Sequence, residues 1–309
     1  MSLQNSTDRC VTLLFRRSGK FFATLRRARI VVVFQNKIKR ETLMQFNLAK
    51  KLTMVAILAT STTTAVYADV IDDIKERGVI KVGVKADYKP YGFRDTDSSI
   101  VGIEPELAKD VADMLGVEIE YVPVVSSNRM QFLEQGKIDL MIATMTDTEE
   151  RRKVISIVQP NYYSSGTNIL ALKSLGLKDW NDLKGKPVCG IQGAFYNKAT
   201  SQKYGAEIVA FKGTAEAYSA LKAGNCAAVV YDDSAIVAKT KDPEWADFEM
   251  PLATIDDAPW GLAVKLGEDK FHAMMSGMIT AWHKSGRILD LETKWGVANT
   301  PFAKAMNEK

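Results

Sequence analysis

The chain predicts an α/β protein built as two Rossmann-like lobes joined by two extended hinge strands, and three observations carry that reading. Short apolar runs alternate with amphipathic helical stretches from residue 79 onward, the alternation restarts at Leu183, and extended segments flank the second series on both sides. Strand–helix alternation implies right-handed crossover units, so each series builds a sheet with helices on its faces.

In the first series, Val79 to Val84 is a strand leading into a turn at Asp87 to Gly92. Glu104 to Leu115 is an amphipathic helix with Pro105 in its first turn and Gly116 at its end, and Val117 to Val125 returns as a strand. Asn128 to Gln135 is a helix stopped at Gly136. Ile138, Leu140, Met141 and Ile142 read as a buried strand, followed by a helix capped by Thr146 or Asp147. The second series runs through strand Pro187 to Gln192, helix Asn197 to Tyr204, strand Ile208 to Phe211, helix Thr214 to Ala223 and strand Ala227 to Tyr231. Asn161 to Ile169 and Asp256 to Val264 are the crossings. Glu268 to Ser285 and Arg287 to Trp295 are helical and pack back on the first lobe, and the Met274, Met275 and Met278 stripe reads as helix core. The expected division is residues 69–163 plus 262–309 for lobe 1 and 164–261 for lobe 2.

The amino terminus reads as export machinery. Lys50 and Lys51 precede a short apolar run, Leu52 to Ala59, and a small-residue stretch ending Val66-Tyr67-Ala68, the three regions of a cleaved signal peptide over residues 44–68. Residues 1–43, rich in arginine and without periodicity, read as sequence upstream of the true start at Met44; a basic arm that keeps the protein inside the cell is the alternative. The leader contains twelve basic and two acidic residues, so cleavage after Ala68 moves the formal charge from +4 to −6. A basic surface, and with it a nucleic-acid partner, is thereby excluded from the mature reading.

Cysteine usage fits an oxidising compartment. The expected mature chain retains Cys189 and Cys226, beside neighbouring strands, and these read as a disulfide, with two buried free thiols as the alternative. No CxxC or Cys/His cluster is present, and His272 and His283 stand alone on one helical stretch, so neither a metal nor another cofactor is called for.

The stretch Ile138 to Arg152 carries the most chemistry. Thr144, Thr146 and Arg151 lie at the junction of strand and helix, where free backbone N–H groups, the helix dipole and a planar guanidinium favour a carboxylate. A capped surface helix with solvated Arg151, Arg152 and Lys153 is the alternative.

Seven segments, in order, resemble the type II periplasmic solute-binding proteins of polar amino-acid ABC transporters: VIKVGVKADYKPYGF (Val79 to Phe93), VGIEPELAKDVADMLGV (Val101 to Val117), SSNRMQFLEQGKIDLMIATMTDTEERR (Ser126 to Arg152), NYYSSG (Asn161 to Gly166), LKGKPVCGIQG (Leu183 to Gly193), YDDSAI (Tyr231 to Ile236) and LETKWG (Leu291 to Gly296). The resemblance implies a monomeric periplasmic protein that closes on one amino acid and delivers it to a membrane permease. It implies that Arg151 clamps the α-carboxylate with Thr144 and Thr146, that Asp232 takes the α-ammonium and that Tyr88 covers the ligand. Lys85 and Arg129 match positions that in the aspartate- and glutamate-binding branch meet a distal carboxylate, so glutamate or aspartate is the expected ligand and another polar amino acid the alternative. A solvated Lys85, or an Arg129 paired with Glu134 or Glu118, is the plainer reading of those two cations.

One departure stands out. Where the family carries Gly-Thr-Thr, this chain has Gly193-Ala194-Phe195-Tyr196, losing two hydroxyls and bringing two aromatics, Phe195 and Tyr196, near the cleft. A rival class is an exported cyclohexadienyl dehydratase on the same fold, with a buried carboxylate as general acid; Asp232 beside Asp233 is the sole paired carboxylate evident, and adjacent strand residues face opposite ways. A binding protein, not an enzyme, is the expectation.

Overall fold

The computed structural model describes residues 69–309. The expected signal peptide and upstream segment lie outside the described residues. Among the described residues, no helix is long and apolar enough to cross a membrane.

Helix α1 (Val70–Arg77) begins at Asp69, whose carboxylate accepts the Ile71 N–H, and ends at Gly78. Strand β1 (Val79–Val84) leads to a small antiparallel sheet of β2 (Asp87–Tyr88), β3 (Gly92–Arg94) and β4 (Ile100–Val101). Helix α2 (Ile103–Leu115) buries Ile103, Leu107, Ala108, Val111 and Leu115, the stripe that helical periodicity predicts. Then come β5 (Glu118–Pro123), α3 (Arg129–Glu134), β6 (Leu140–Met141), α4 (Glu149–Arg152) and β7 (Ser156–Ile157).

The chain crosses to the second lobe on β8 (Tyr163–Leu172). It continues through β9 (Pro187–Ile191), α5 (Tyr196–Tyr204), β10 (Glu207–Phe211), α6 (Thr214–Lys222), β11 (Ala228–Asp232), α7 (Asp233–Thr240) and β12 (Phe248–Glu249), and returns on β13 (Ile255–Trp260) and β14 (Ala263–Val264). Helices α8 (Asp269–Lys284), α9 (Arg287–Lys294) and α10 (Pro301–Asn307) close the described chain. In α8, Phe271, Met275, Ile279 and Trp282 are buried on one face, with Met274 and Met278 half-buried beside it.

The first sheet runs β5–β1–β6–β14–β7, with β1 parallel to β5 and β6 and the returning β14 antiparallel to β6 and β7. The second runs β10–β9–β11–β8–β12, with β9 parallel to β10 and β11. The two crossings pair with one another, because β13 lies antiparallel on β8 with Tyr163 opposite Trp260. Each sheet thus has a parallel half, β5–β1–β6 or β10–β9–β11, continued by antiparallel strands that include the hinge connections.

Two local expectations fail. The run from Ile138 to Ile142 is buried, yet only Leu140 and Met141 form ladder pairs. The following helix is capped by Thr148, because Thr146 forms an isolated bridge with Trp260 and the Asp147 carboxylate is taken by Arg152, Gln159 and Asn161.

Cys189 in β9 and Cys226, just before β11, are bridged with their Cα atoms 5.6 Å apart. β9 and β11 are parallel neighbours, which brings the two buried positions together. Closing a loop with a sequence separation of 37 stabilises the fold by about 4 kcal/mol in the chain-entropy model. Reduction, or Cys226→Ser, is expected to lower the denaturant midpoint of the second lobe, and thiol titration of the unreduced, unfolded protein from residue 69 onward should find no free thiol. Two titratable thiols would contradict the bridge.

Candidate functional site

Between the lobes lies a cleft walled by Ser126, Arg129, Thr144, Thr146 and Arg151 on one side and Ala194, Phe195, Tyr196, Tyr231 and Asp232 on the other. Its polar groups come from strand ends and the loops after them, the usual place for ligands in open α/β sheets.

Arg151 sits in the single turn of α4, where Thr148 accepts its backbone N–H at 3.3 Å. Nη1 donates to the Thr146 carbonyl at 2.6 Å, and Nη2 donates across the cleft to the Gly193 carbonyl at 3.1 Å. Burial first, and the Arg129 charge second, pull its guanidinium down to about 9. The helix dipole expected to hold an anion here is largely missing, since four residues align too few peptide units. The positive charge of this wall is carried by side chains.

Arg129 opens α3 and is 3% exposed. Its Nη1 donates to the Ala143 and Thr144 carbonyls, so the group turns inward instead of pairing with Glu134 or Glu118. Its Nε is buried without a partner, and Nη2 has no acceptor among the described residues. Thr144 holds the left-handed φ of +46°, which costs a residue with a branched side chain about 1–3 kcal/mol. That backbone is gripped at both ends: its N–H donates to Glu104 Oε1 while its carbonyl accepts from Arg129.

Glu104 is fully buried in the first turn of α2. Its Oε1 also accepts the Tyr162 hydroxyl, Oε2 has no partner, and burial raises the carboxyl to about 7 against those stabilising bonds. Sequence reasoning missed this residue, because a glutamate in a first helical turn looks like an ordinary complement to the dipole.

On the other lobe, Asp232 ends β11. Its Oδ2 accepts the Tyr88 hydroxyl at 2.8 Å across the cleft, and burial, with a smaller push from Asp233, raises it to about 7. Asp233 turns away, accepting from the Ser165 hydroxyl and the Gly166 N–H. The two acids are therefore separate groups and not a catalytic pair. Tyr88 is buried and packs against Tyr231 with the rings tilted by 42° and their centroids 4.7 Å apart. Tyr196 lines the cleft beside Phe195, and Tyr231, which escaped sequence reasoning, lies within the continuous apolar run of β11.

Gly193 marks the close approach of the lobes. It has φ +79°, and a Cβ there would stand 2.9 Å from the Ser126 carbonyl oxygen and the Ser127 Cα. Phe195 lines the cleft as the first flanking residue of α5, a helix without a side-chain cap.

Lys85 departs from expectation. It follows β1, is fully buried and does not line the cleft; its Nζ lies 3.0 Å from Asp87 Oδ1. Burial lowers its ammonium pKa, Asp87 opposes that shift, and Arg129 adds to it. Among the described residues, no His, Cys, Asp and Glu cluster could hold a metal ion.

The ABC transporter glutamine-binding protein of Bacillus subtilis (strain 168) is 29% identical over 233 residues, covering 74% of this chain and 84% of that protein. The L-glutamate/L-aspartate-binding protein of Pseudomonas aeruginosa is 26% identical over 269 residues, covering 80% and 88%. The crystal structure of an ancestral amino acid-binding protein, a precursor of cyclohexadienyl dehydratase, matches with a TM-score of 0.66 at 29% identity, over 73% of this chain and 98% of that one. The family model described as bacterial extracellular solute-binding proteins, family 3, matches residues 80–298. A two-lobed fold with a charged cleft, and a family match across both lobes, make this chain a member of the bacterial extracellular solute-binding proteins, family 3.

Proposed function

We propose that the protein is the exported binding component of an amino-acid ABC importer, holding one polar amino acid between its lobes and presenting it to a membrane permease. The observation that carries this reading is the opposition of Arg151 and Asp232: a cation on one lobe and an anion on the other, both buried enough to be uncomfortable when unpaired. An α-carboxylate on Arg151 and an α-ammonium on Asp232 would relieve both, and a ligand bridging the lobes favours closure because only the closed state offers it both contacts. A larger cavity of about 450 Å³ lies beside Asp87, Thr214 and Trp295. It lacks an opposed arginine and aspartate, so chemistry and not size selects the smaller cleft.

Within that class, glutamate or aspartate is the preferred ligand. Arg129 reaches the cleft with Nη2 unbonded, a fitting partner for a distal carboxylate. Lys85 takes no direct part in this version, its ammonium being held by Asp87. The second reading is a neutral polar amino acid such as glutamine. It is favoured by buried Glu104 and half-buried Asp87, acids that offset Arg129 and Lys85 in the wider charge balance. An enzymatic role would need a general acid, and Asp232 at about 7 has a suitable pKa; its opposition to Arg151 suits a zwitterion better.

Calorimetric titration against the protein amino acids separates these readings. Arg151→Ala and Asp232→Ala are each expected to weaken binding by about 2–5 kcal/mol, with circular dichroism unchanged; near wild-type affinity in either would refute the clamp. Arg129→Gln should weaken glutamate far more than glutamine, and a wild-type preference for glutamine would overturn the acidic assignment alone.

The pH dependence follows from Asp232. Its carboxyl is raised to about 7 in the free protein, so below that pH it is protonated and poorly suited to an ammonium partner. Affinity for a neutral amino acid should be full above pH 7 and fall by about tenfold per unit below it. Asp232→Asn should bind weakly with a flat profile; a wild-type profile that is flat from pH 8 to 5 would exclude this linkage.

A further inference from the structure

We propose that Asp87 is a closure-determining residue: its carboxylate, fixed on the first lobe by Lys85, accepts the Thr214 N–H at the start of α6 on the second lobe and so stabilises the closed state independently of the amino acid. The proposal rests on the reading of a two-lobed protein that closes on an amino acid, and it holds for any such ligand.

Asp87 Oδ2 accepts the Thr214 N–H at 2.9 Å, while Lys85 Nζ stands 3.0 Å from Oδ1. Thr214 is the first residue of α6, and the preceding Gly213 has no side chain to cap it. Glu216 reaches back to the Lys212 and Gly213 N–H groups, which leaves the Thr214 N–H to Asp87. A nine-residue helix presents a partial positive charge at that end, so a carboxylate supplied from the other lobe is well matched. Lys85 is fully buried and out of the cleft. Its role here is to position Asp87.

The other contacts across the cleft differ in kind. Tyr88 to Asp232 and Arg151 to the Gly193 carbonyl engage groups that an arriving ligand needs, and so are exchanged on binding. Lys241 Nζ to the Gly296 carbonyl is exposed and 3.4 Å long. The Asp87–Thr214 bond alone among these is part-buried and leaves the ligand-binding groups free.

Thr214→Pro tests this directly. The first position of a helix accepts proline, and Gly213 already has the extended conformation (φ −132°, ψ 168°) that a residue before proline requires. The change deletes the N–H, turns the ring toward Asp87 in the closed state and leaves the Lys85–Asp87 pair intact. Thr214→Val is the control, since it keeps the N–H and removes the hydroxyl, which meets Tyr231 at 3.1 Å and contributes less to Asp87 than the backbone N–H does. Inter-lobe energy transfer between one dye on each lobe, measured in a mixture of all protein amino acids at saturating concentration, reads the closed-to-open ratio without knowledge of the ligand. Thr214→Pro is expected to lower that ratio by about tenfold, with Thr214→Val near wild type and both unfolding at similar temperatures. The charge-neutral double variant Lys85→Met, Asp87→Ala should repeat the loss. Equal closure of Thr214→Pro and Thr214→Val overturns the proposal alone, whereas a mixture that fails to close the wild-type protein overturns the amino-acid reading as well.

Discussion

The structure is organised around two opposite charges that face each other across a cleft with incomplete pairing. Burying an ion without an adequate partner costs several kcal/mol even after the surroundings relax, and both groups show it: Arg151 is drawn down to about 9 and Asp232 up to about 7. Each is bonded to a neutral partner, the Thr146 and Gly193 carbonyls for Arg151 and the Tyr88 hydroxyl for Asp232. On the proposed reading a zwitterion replaces these with two charge-assisted bonds, which are shorter and roughly twice as strong. The need for a ligand is built into the desolvation of the site.

On the proposed reading the lobes close on the ligand, and the crossings are where a pivot would lie. β8 and β13 pair antiparallel, with Tyr163 opposite Trp260, and Tyr91, Tyr163 and Trp260 form a buried aromatic cluster with centroids 4.9–5.3 Å apart. The Tyr91 hydroxyl lies 3.1 Å from that of Tyr163, which in turn donates to Glu292 of α9. Hydrogen-bonded rings at the crossing leave few soft torsions there, so closure on the proposed reading would draw on the short connections at the strand ends.

The fold was legible because its signals are periodic. Apolar stripes gave α2 and α8, and the restart of strand–helix alternation gave the second lobe. What was not legible depended on competition among polar groups. Thr146 and Asp147 look as good a cap as Thr148, and only the tertiary partners of the first two, Trp260 for Thr146 and the Arg152–Gln159–Asn161 group for Asp147, decide the matter. The terminal α10 escaped notice although Thr300 and Pro301 are good start signals, because its seven residues present one buried position, Ala303.

The same limit governs the site. Thr144, Thr146, Arg129, Arg151 and Asp232 meet in one cleft because each ends or follows a strand, a placement that motif spacing conveys. Lys85 also ends a strand, yet Asp87 two residues later takes its ammonium and turns both toward α6. Glu104 does not line the cleft itself; from the first turn of α2 it reaches the wall through the strained backbone of Thr144, which it shares with Arg129. The charge that a ligand meets at Arg129 is thus set partly by an acid forty residues upstream of Thr144, whose carboxyl sits at about 7. On the proposed reading, selectivity between an acidic and a neutral side chain would rest on that buried balance as much as on the arginine that would touch the ligand.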